Sequence, residues 1–508
     1  MATSTLFRST RAGTRSSGSG GPSESSNRRR AALAVILTAQ LMVVLDATIV
    51  NIALPKIQTA LSFSRTDLSW VLNAYSLTFG GLLLLGARSG DLFGRRSVFL
   101  AGIGLFTVSS LAGGFATSSA LLLAARALQG VGAAFASPSA LALLMVMFKD
   151  GAERTRSIAA YTAVSIGGSA LGLVAGGMLV QWASWRWVFF VNVPIGAVLL
   201  VLARRDLPET DRRPGRIDLP GALTSTFGMA ALVYGLVRAA SDGWRDGGTV
   251  AAFAAGVVLL IAFVLVETRA AMPITPLRLF ASRDRSFSYV ARLALMGGMF
   301  GMFFFLTQFE QDILGYSPVV SGLAFLPLSI ALFIASQLSA RVLLTRFSGK
   351  ALMITGVSTS TVGVLLLTQL SATSGYPLLL ASLLLFGAGN GLAFVPLTMA
   401  SLAGVDPADA GAASGLVNVM QQVGGALGLS VLVTVFGAAS RSQARTAVAG
   451  AAGQAQVFVH AADRVFLAAA ILMLASVAMI ASMKSRSQQR STAAPDDAAG
   501  ELETAGTH

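Results

Sequence analysis

The sequence predicts an all-α integral membrane protein of fourteen spans, on the evidence of its composition, the spacing of its apolar runs and an internal repeat. Of 508 residues, 54% are hydrophobic and only 12% charged. An ordinary soluble surface needs about a quarter charged residues, so this chain cannot present one to water. Its apolar stock is enough for fourteen helices of about twenty residues, the length that crosses a bilayer. The absence of cysteine excludes disulfides, thiol catalysis and thiolate metal sites.

Residues 1–30 are rich in Ser, Gly and Arg and end in Arg28-Arg29-Arg30. They carry too few apolar groups to fold and are expected to form a disordered cytoplasmic tail, with residues 485–508 as a second. The apolar run that follows is too long for a signal-peptide core and lacks a small-residue cleavage pattern, so it reads as a retained first span. Apolar runs between charged or Gly/Pro-rich breaks then place spans near 31–54, 68–87, 97–116, 119–143, 157–181, 187–203, 219–238, 248–266, 286–308, 319–340, 351–370, 376–400, 410–438 and 464–483. An even number puts both tails on one side. The tails and the loops on their side hold most of the Lys and Arg, which places both termini in the cytoplasm. The net charge of +14 is spread over short loops without a basic face or interleaved aromatics, so it serves orientation rather than nucleic-acid binding.

The chain repeats itself at one offset. Ile166-Gly167-Gly168-Ser169-Ala170-Leu171-Gly172-Leu173 resembles Val423-Gly424-Gly425-Ala426-Leu427-Gly428-Leu429, displaced by 256 or 257 positions. Gly130-Val131-Gly132 with Pro138 is echoed by Gly387-Ala388-Gly389 with Pro396, and Phe93-Gly94-Arg95-Arg96 with Gly102 more weakly by Phe347-Ser348-Gly349-Lys350 with Gly356. The expected layout is a six-helix bundle over 31–204, two extra spans with linkers over 205–285, and a second six-helix bundle over 286–484. Two parallel six-helix halves around a central axis are a transporter architecture whose substrate site lies between the halves.

Several strings carry a more specific resemblance. Leu45-Asp46-Ala47-Thr48-Ile49-Val50-Asn51-Ile52-Ala53-Leu54-Pro55 and Trp185-Arg186-Trp187-Val188-Phe189-Phe190-Val191-Asn192-Val193-Pro194-Ile195-Gly196 are long and distinctive. With Ala87 through Arg96, Arg126-Ala127-Leu128-Gln129-Gly130 and Gly168 through Gly177, they resemble the major facilitator superfamily and, within it, the fourteen-span drug:proton antiporters. Two positions depart from that family's pattern: Ala87 stands where Gly is usual, and Leu173 replaces a Pro.

Asp46 and Arg126 each interrupt an apolar run, and a charge at the centre of a spanning helix costs roughly 2.5–3.5 kcal/mol unless it finds a partner or water. Counted from the expected outer ends of spans 1 and 4, the two lie at similar depth. A carboxyl in a dry cavity holds its proton more tightly, and a nearby arginine loosens that hold, so the pair is read as the proton-coupling site. A static ion pair joining two helices is the competing reading. The resemblance implies the coupling role for both residues.

Asp91, Gly94, Arg95 and Arg96 are expected at the cytoplasmic face as a gating loop, with Asp91 reaching a helix N-terminus or an arginine of the other half. Gly168, Gly172, Gly176 and Gly177 form a small-residue face that allows close helix contact, and the resemblance makes it the antiporter motif that favours export. Polar residues within spans are candidates for the substrate cavity: Gln40, Asn73, Tyr75, Gln129, Asn390, Asn418, Gln421 and Gln422. Glu310 joins them, since a carboxylate beside Phe303, Phe304 and Phe305 suits a lipophilic cation. Asp312 is expected to be a solvated loop residue, and Arg292 to snorkel to water.

The function expected is proton-coupled export of small lipophilic or cationic compounds, antibiotics included, by alternating access across a bacterial inner membrane. An importer of a small metabolite remains open, as does a non-transporting receptor or enzyme. Against catalysis, the only histidines are His460, expected in an outer loop, and His508. No phosphate-binding loop is present, and no cofactor or metal is expected. The expected partners are the substrate, protons and the lipid bilayer, with the chain acting as a monomer.

Overall fold

The structure, a computed structural model, describes residues 22–148, 151–210, 212, 218–270, 272–406, 409–445 and 450–484. The expected terminal tails lie outside them apart from 22–30, which correct the expectation: these residues already belong to a helix, Pro22–Leu61. Helical backbone bonds are local, and Arg is a good helix former, so the first span continues into its polar flank. All regular structure among the described residues is helical.

Fourteen of the helices are long and apolar enough to cross a membrane. In order they are Arg29–Leu61, Asp67–Phe93, Arg95–Gly114, Ser119–Met147, Gly151–Trp182, Trp187–Asp206, Leu219–Asp242, Gly247–Arg269, Arg283–Ile313, Pro318–Arg346, Gly349–Leu367, Tyr376–Leu402, Ala410–Ala444 and Ala451–Ala481, referred to below as spans 1 to 14. With fourteen spans, the start of span 1 and the end of span 14 lie at one face, called terminal; the opposite face is called distal. Two ends differ notably from expectation. Span 1 runs through Pro55 to Leu61 instead of stopping at residue 54, and span 14 begins at Ala451, so His460 and Asp463 are helical rather than in a loop. Charged and proline residues near a span's end sit beyond the hydrocarbon, where they interrupt the apolar pattern without breaking the helix.

The repeat seen in the sequence is a repeat of contacts. In one half, spans 1 and 5, 2 and 4, 3 and 4, 3 and 6, and 1 and 6 pack together. Their counterparts 9 and 13, 10 and 12, 11 and 12, 11 and 14, and 9 and 14 do the same in the other. Glycine makes several of these approaches possible. A Cβ on Gly102 would stand 2.6 Å from Ala136 N and 2.8 Å from Gly132 O, and one on Gly356 would stand 2.8 Å from Ala393 N and 2.6 Å from Gly389 O. The corresponding distances agree within 0.2 Å at the same repeat positions. Where lipid replaces water, apolar burial gives helices no reason to associate, and close van der Waals contact between small residues supplies it.

The two halves meet along spans 2 and 13 and along spans 5 and 10. Spans 7 and 8 are central in sequence but peripheral in space. Span 7 covers the seam between spans 2 and 13, where Thr434 Oγ1 donates to Leu236 O at 2.7 Å, while span 8 packs mainly on span 7. Val257, Val258, Ile261 and Leu265 of span 8 are consequently exposed, as a helix bathed in hydrocarbon requires. The linker before span 9 is strapped to the start of span 13 by Arg278, whose Nε and Nη2 donate to Asp409 at 2.5 and 2.7 Å. The guanidinium holds the Asp409 carboxyl below the usual carboxylate range.

A methyl group at Gly132 would meet Phe106 N at 2.7 Å and Gly102 O at 2.8 Å, whereas one at Gly167 would meet nothing within 4 Å. Gly132→Ala should therefore lose about 1–3 kcal/mol, read as a lowered midpoint when the detergent-solubilised protein is heated. Gly167→Ala, in the same kind of helix, should unfold at or above the parent temperature.

Candidate functional site

Asp46 and Arg126 meet at the centre of the first half, both completely buried. Arg126 Nη1 lies 2.5 Å from Asp46 Oδ2, and its Nε donates to Val71 O at 3.0 Å. The other carboxylate oxygen, Oδ1, accepts from Gln129 Nε2 and from Asn192 Nδ2, each at 3.0 Å. Ser110 Oγ accepts from the same two amides at 3.0 and 3.1 Å and itself donates to Phe189 O at 2.9 Å. Arg126 also lies over the Tyr75 ring, 4.4 Å from its centroid. Spans 1, 2, 3, 4 and 6 thus each contribute a group to one buried carboxylate and its counterion.

Local structure explains the convergence. Gln129 follows Arg126 by three residues and shares its helical face. Asn192 is the first residue of the second segment of span 6, which is interrupted at Val191 between Trp187–Phe190 and Asn192–Asp206. The two charges meet at one depth, as expected, although span 1 runs on to Leu61, which leaves Asp46 fifteen residues before its end and Arg126 seven after the start of span 4.

Both carboxylate oxygens are compensated, whereas the cation is compensated in part, with Arg126 Nη1 donating also to Gln129 Oε1 at 3.1 Å and Nη2 left over. Arg126 Nη2, the Tyr75 hydroxyl and Asn192 Oδ1 are buried without hydrogen-bond partners. Removing two charges from water costs several kcal/mol per ion, so such a pair persists only with close geometry and further hydrogen bonds. Neutralising Asp46 would leave a dry guanidinium facing unsatisfied neighbours, a state the site can escape only by rearranging. Ser110 and Asn192 were not singled out from sequence as site residues. Asn192 had a signal, being the one polar residue in the apolar run 187–203, whereas a serine such as Ser110 is unremarkable in a membrane helix.

The loop expected to gate is closed on its own half. Arg95 Nη2 donates to Asp91 Oδ1 at 2.9 Å, and Arg96 reaches Leu207 O at 3.2 Å and Glu209 at 3.4 Å. Gly94 turns the chain with φ +96°, and the Glu209 side chain fills the place a Cβ would take. The expected partner in the other half is therefore corrected: in this conformation Asp91 is held by Arg95, four residues along the chain. The glycine face packs on span 1, with Gly168 against Leu41, Gly172 against Thr48 and Gly176 against Ile49. Gly177 instead faces Pro318 and Val319 of span 10, across the seam.

The polar candidates separate into groups. Gln129 and Tyr75 belong to the ion-pair network. Gln40 is tied to span 5 by Ser165 and Tyr161, and Asn390 to span 11 by Ser360 at 3.1 Å, which makes both ties between helices of one half. Asn73 crosses the halves, donating to Ser430 Oγ at 3.0 Å. Asn418 is exposed and bonded to Ser414 O of its own helix; Gln421 and Gln422 are part-exposed, and Gln422 packs against Gly80. Glu310 is fully buried. Two expectations fail elsewhere in span 9. Arg292 does not reach water but is buried, held by Thr398 Oγ1 at 2.6 Å and the Phe394 ring at 4.9 Å. Asp312 ends span 9 in an ion pair with Arg65 at 3.2 Å rather than in a free loop.

A model of the Major Facilitator Superfamily matches residues 36–429, and the chain belongs to that family. It is a multi-pass transporter of the bacterial cell membrane, not an enzyme. Among its relatives, puromycin resistance protein pur8 of Streptomyces alboniger is 46% identical over 80% of this chain and 82% of that one. The cephamycin export protein CmcT of Amycolatopsis lactamdurans is 40% identical over 80% and 85%. A solved POT family peptide transporter, 15% identical, shares the fold with a TM-score of 0.64 over 88% of this chain and 96% of its own.

Breaking the ion pair from one side strands a buried charge, so Arg126→Met should cost about 3–5 kcal/mol of thermal stability in detergent. Replacing both partners, as Asp46→Leu with Arg126→Met, should recover most of that loss. Asn192→Ala leaves Asp46 Oδ1 and Ser110 Oγ each one donor short and should cost about 1–3 kcal/mol by the same measurement.

Proposed function

We propose that this protein is a proton-coupled exporter of small lipophilic or cationic antibiotics, working by alternating access with both termini in the cytoplasm. The single observation that carries the reading is the buried Asp46 and Arg126 pair with its unequal compensation. Lys and Arg concentrate on the terminal side, which supports a cytoplasmic terminal face and an external distal face.

The cross-half contacts suit a conformation closed to the outside. Gln311 Nε2 donates to Ile52 O at 3.0 Å, Arg65 pairs with Asp312, and Val319 N donates to Gln181 Oε1 at 3.2 Å, all at the distal end. Gly177 against Pro318 and Gly322 against Leu173 bring spans 5 and 10 into backbone contact there. In the proposed cycle Asp46 takes a proton from outside, releases Arg126, and the network centred on Gln129, Asn192 and Ser110 rearranges. Loss of that proton to the cytoplasm restores the pair. The substrate occupies the space between the halves near Asn418, Gln421 and Gln422, and the Asp91 loop sets the rate of conversion between conformations.

Export as the direction is supported by the relatives named for puromycin resistance and cephamycin export, and by the glycine face that closes spans 1 and 5 together. Everted vesicles carrying the protein should accumulate puromycin or a cephamycin when their lumen is acidified, and accumulation should vanish when the pH gradient is collapsed. Asp46→Asn should reduce accumulation to that of vesicles without the protein; undiminished uptake would remove Asp46 from the mechanism. Asp91→Asn should lower the maximal rate with little change in KM.

A further inference from the structure

Glu310 is a fully buried acid toward the distal end that the cycle above does not use. Neither carboxyl oxygen has a hydrogen-bond partner. An ionised carboxyl taken from water without a counterion or donors costs far more than a hydrogen bond returns, so in this conformation the group is a neutral acid.

Its position gives that charge state a consequence. Span 9 ends in a π-turn, Phe309–Ile313, whose three consecutive polar residues face different ways. Gln311 donates to Ile52 O of span 1, and Asp312 pairs with Arg65 after span 1. Glu310 points instead into its own half, toward Ser321 of span 10, whose hydroxyl is likewise buried without a hydrogen-bond partner. The charged groups on the other side of the turn are Asp312, Arg65 and Lys56. Arg65 is engaged by Asp312 and by the Phe458 ring at 4.9 Å. One short turn therefore carries both an uncompensated acid and two contacts that hold the halves together. π-turns are single-residue insertions into an α-helix and can be relaxed by shifting register, which makes such a turn a suitable hinge.

We propose that Glu310 is a second proton-binding site, and that its protonation latches the distal face shut through the 309–313 turn. When Glu310 loses its proton, the carboxylate must be hydrated. Water can reach it only by loosening the turn, which withdraws Gln311 from Ile52 and Asp312 from Arg65 and opens the distal face. The site binds a proton rather than the transported compound, and it is distinct from Asp46 in span, half and compensation. The proposal deepens the proton-coupled reading and rests on it only for its physiological use.

The chain has no cysteine, so Ala60→Cys and Ala372→Cys, both exposed at the distal ends of opposite halves, can carry spin labels on the full-length protein in lipid nanodiscs. Distances between the labels should form one short population at acid pH and gain a longer one as pH rises. Glu310→Gln should keep the short population at every pH, and Glu310→Asp should restore the response, which separates a titration effect from misfolding. Because the readout is a label distance and not transport, the latch is tested independently of whether transport is driven by protons. A pH response in Glu310→Gln equal to the parent's, or no response in the parent, overturns the proposal.

Discussion

A fully buried aspartate held 2.5 Å from a fully buried arginine is the constraint around which the first half is organised. Neither charge can be solvated where it stands, so the surrounding helices must supply what water would have supplied. Five spans do so. Val71 O, Gln129, Asn192 and Ser110 fix the pair in position, and Arg126 Nη2 and the Tyr75 hydroxyl remain without partners. That remainder matters for function because a fully satisfied network would simply be rigid. Under the proposed function, protonating Asp46 weakens the acceptor that Arg126, Gln129 and Asn192 share, which gives the network a reason to rearrange.

Glycine contacts let the helices that carry these groups come close enough to do so. Gly172 and Gly176 seat span 5 on span 1 beside Asp46, and Gly130 and Gly132 seat span 4 on spans 2 and 3 beside Arg126. The other half uses Gly424 and Gly428 against span 9 and Gly389 against span 11 in the corresponding places. Its charges are arranged differently. Arg292 and Glu310 lie on the same helix, eighteen residues or about 27 Å apart, too far to neutralise one another. The duplicated scaffold therefore carries a paired acid in one half and a solitary one in the other.

Much of this was legible in the sequence because membrane helices announce themselves by length and apolarity. The count of fourteen, the shared face of the termini and the repeat offset follow from runs such as 248–266 and from the glycine strings. Asp46 and Arg126 stood out because an isolated charge in an apolar run has few bland explanations. What the sequence obscured was mostly a matter of ends and directions. Pro55 and Asp463 read as breaks, yet helices pass through both. Arg292 lies near a span end, where snorkelling is the ordinary outcome, and only packing against Phe394 and Thr398 decides otherwise. Asn192 and Asn390 are equally polar and equally buried, but one reaches the carboxylate and the other a neighbouring serine, a difference set by tertiary geometry alone.

The most direct measurement of the central claim is proton release by the purified protein in weakly buffered detergent when puromycin binds. If Asp46 exchanges its proton for Arg126 as substrate enters, the indicator should report protons released in proportion to bound drug, and Asp46→Asn should bind drug with that release absent. Release from Asp46→Asn equal to that from the parent, or drug binding by the parent without release, would contradict the account.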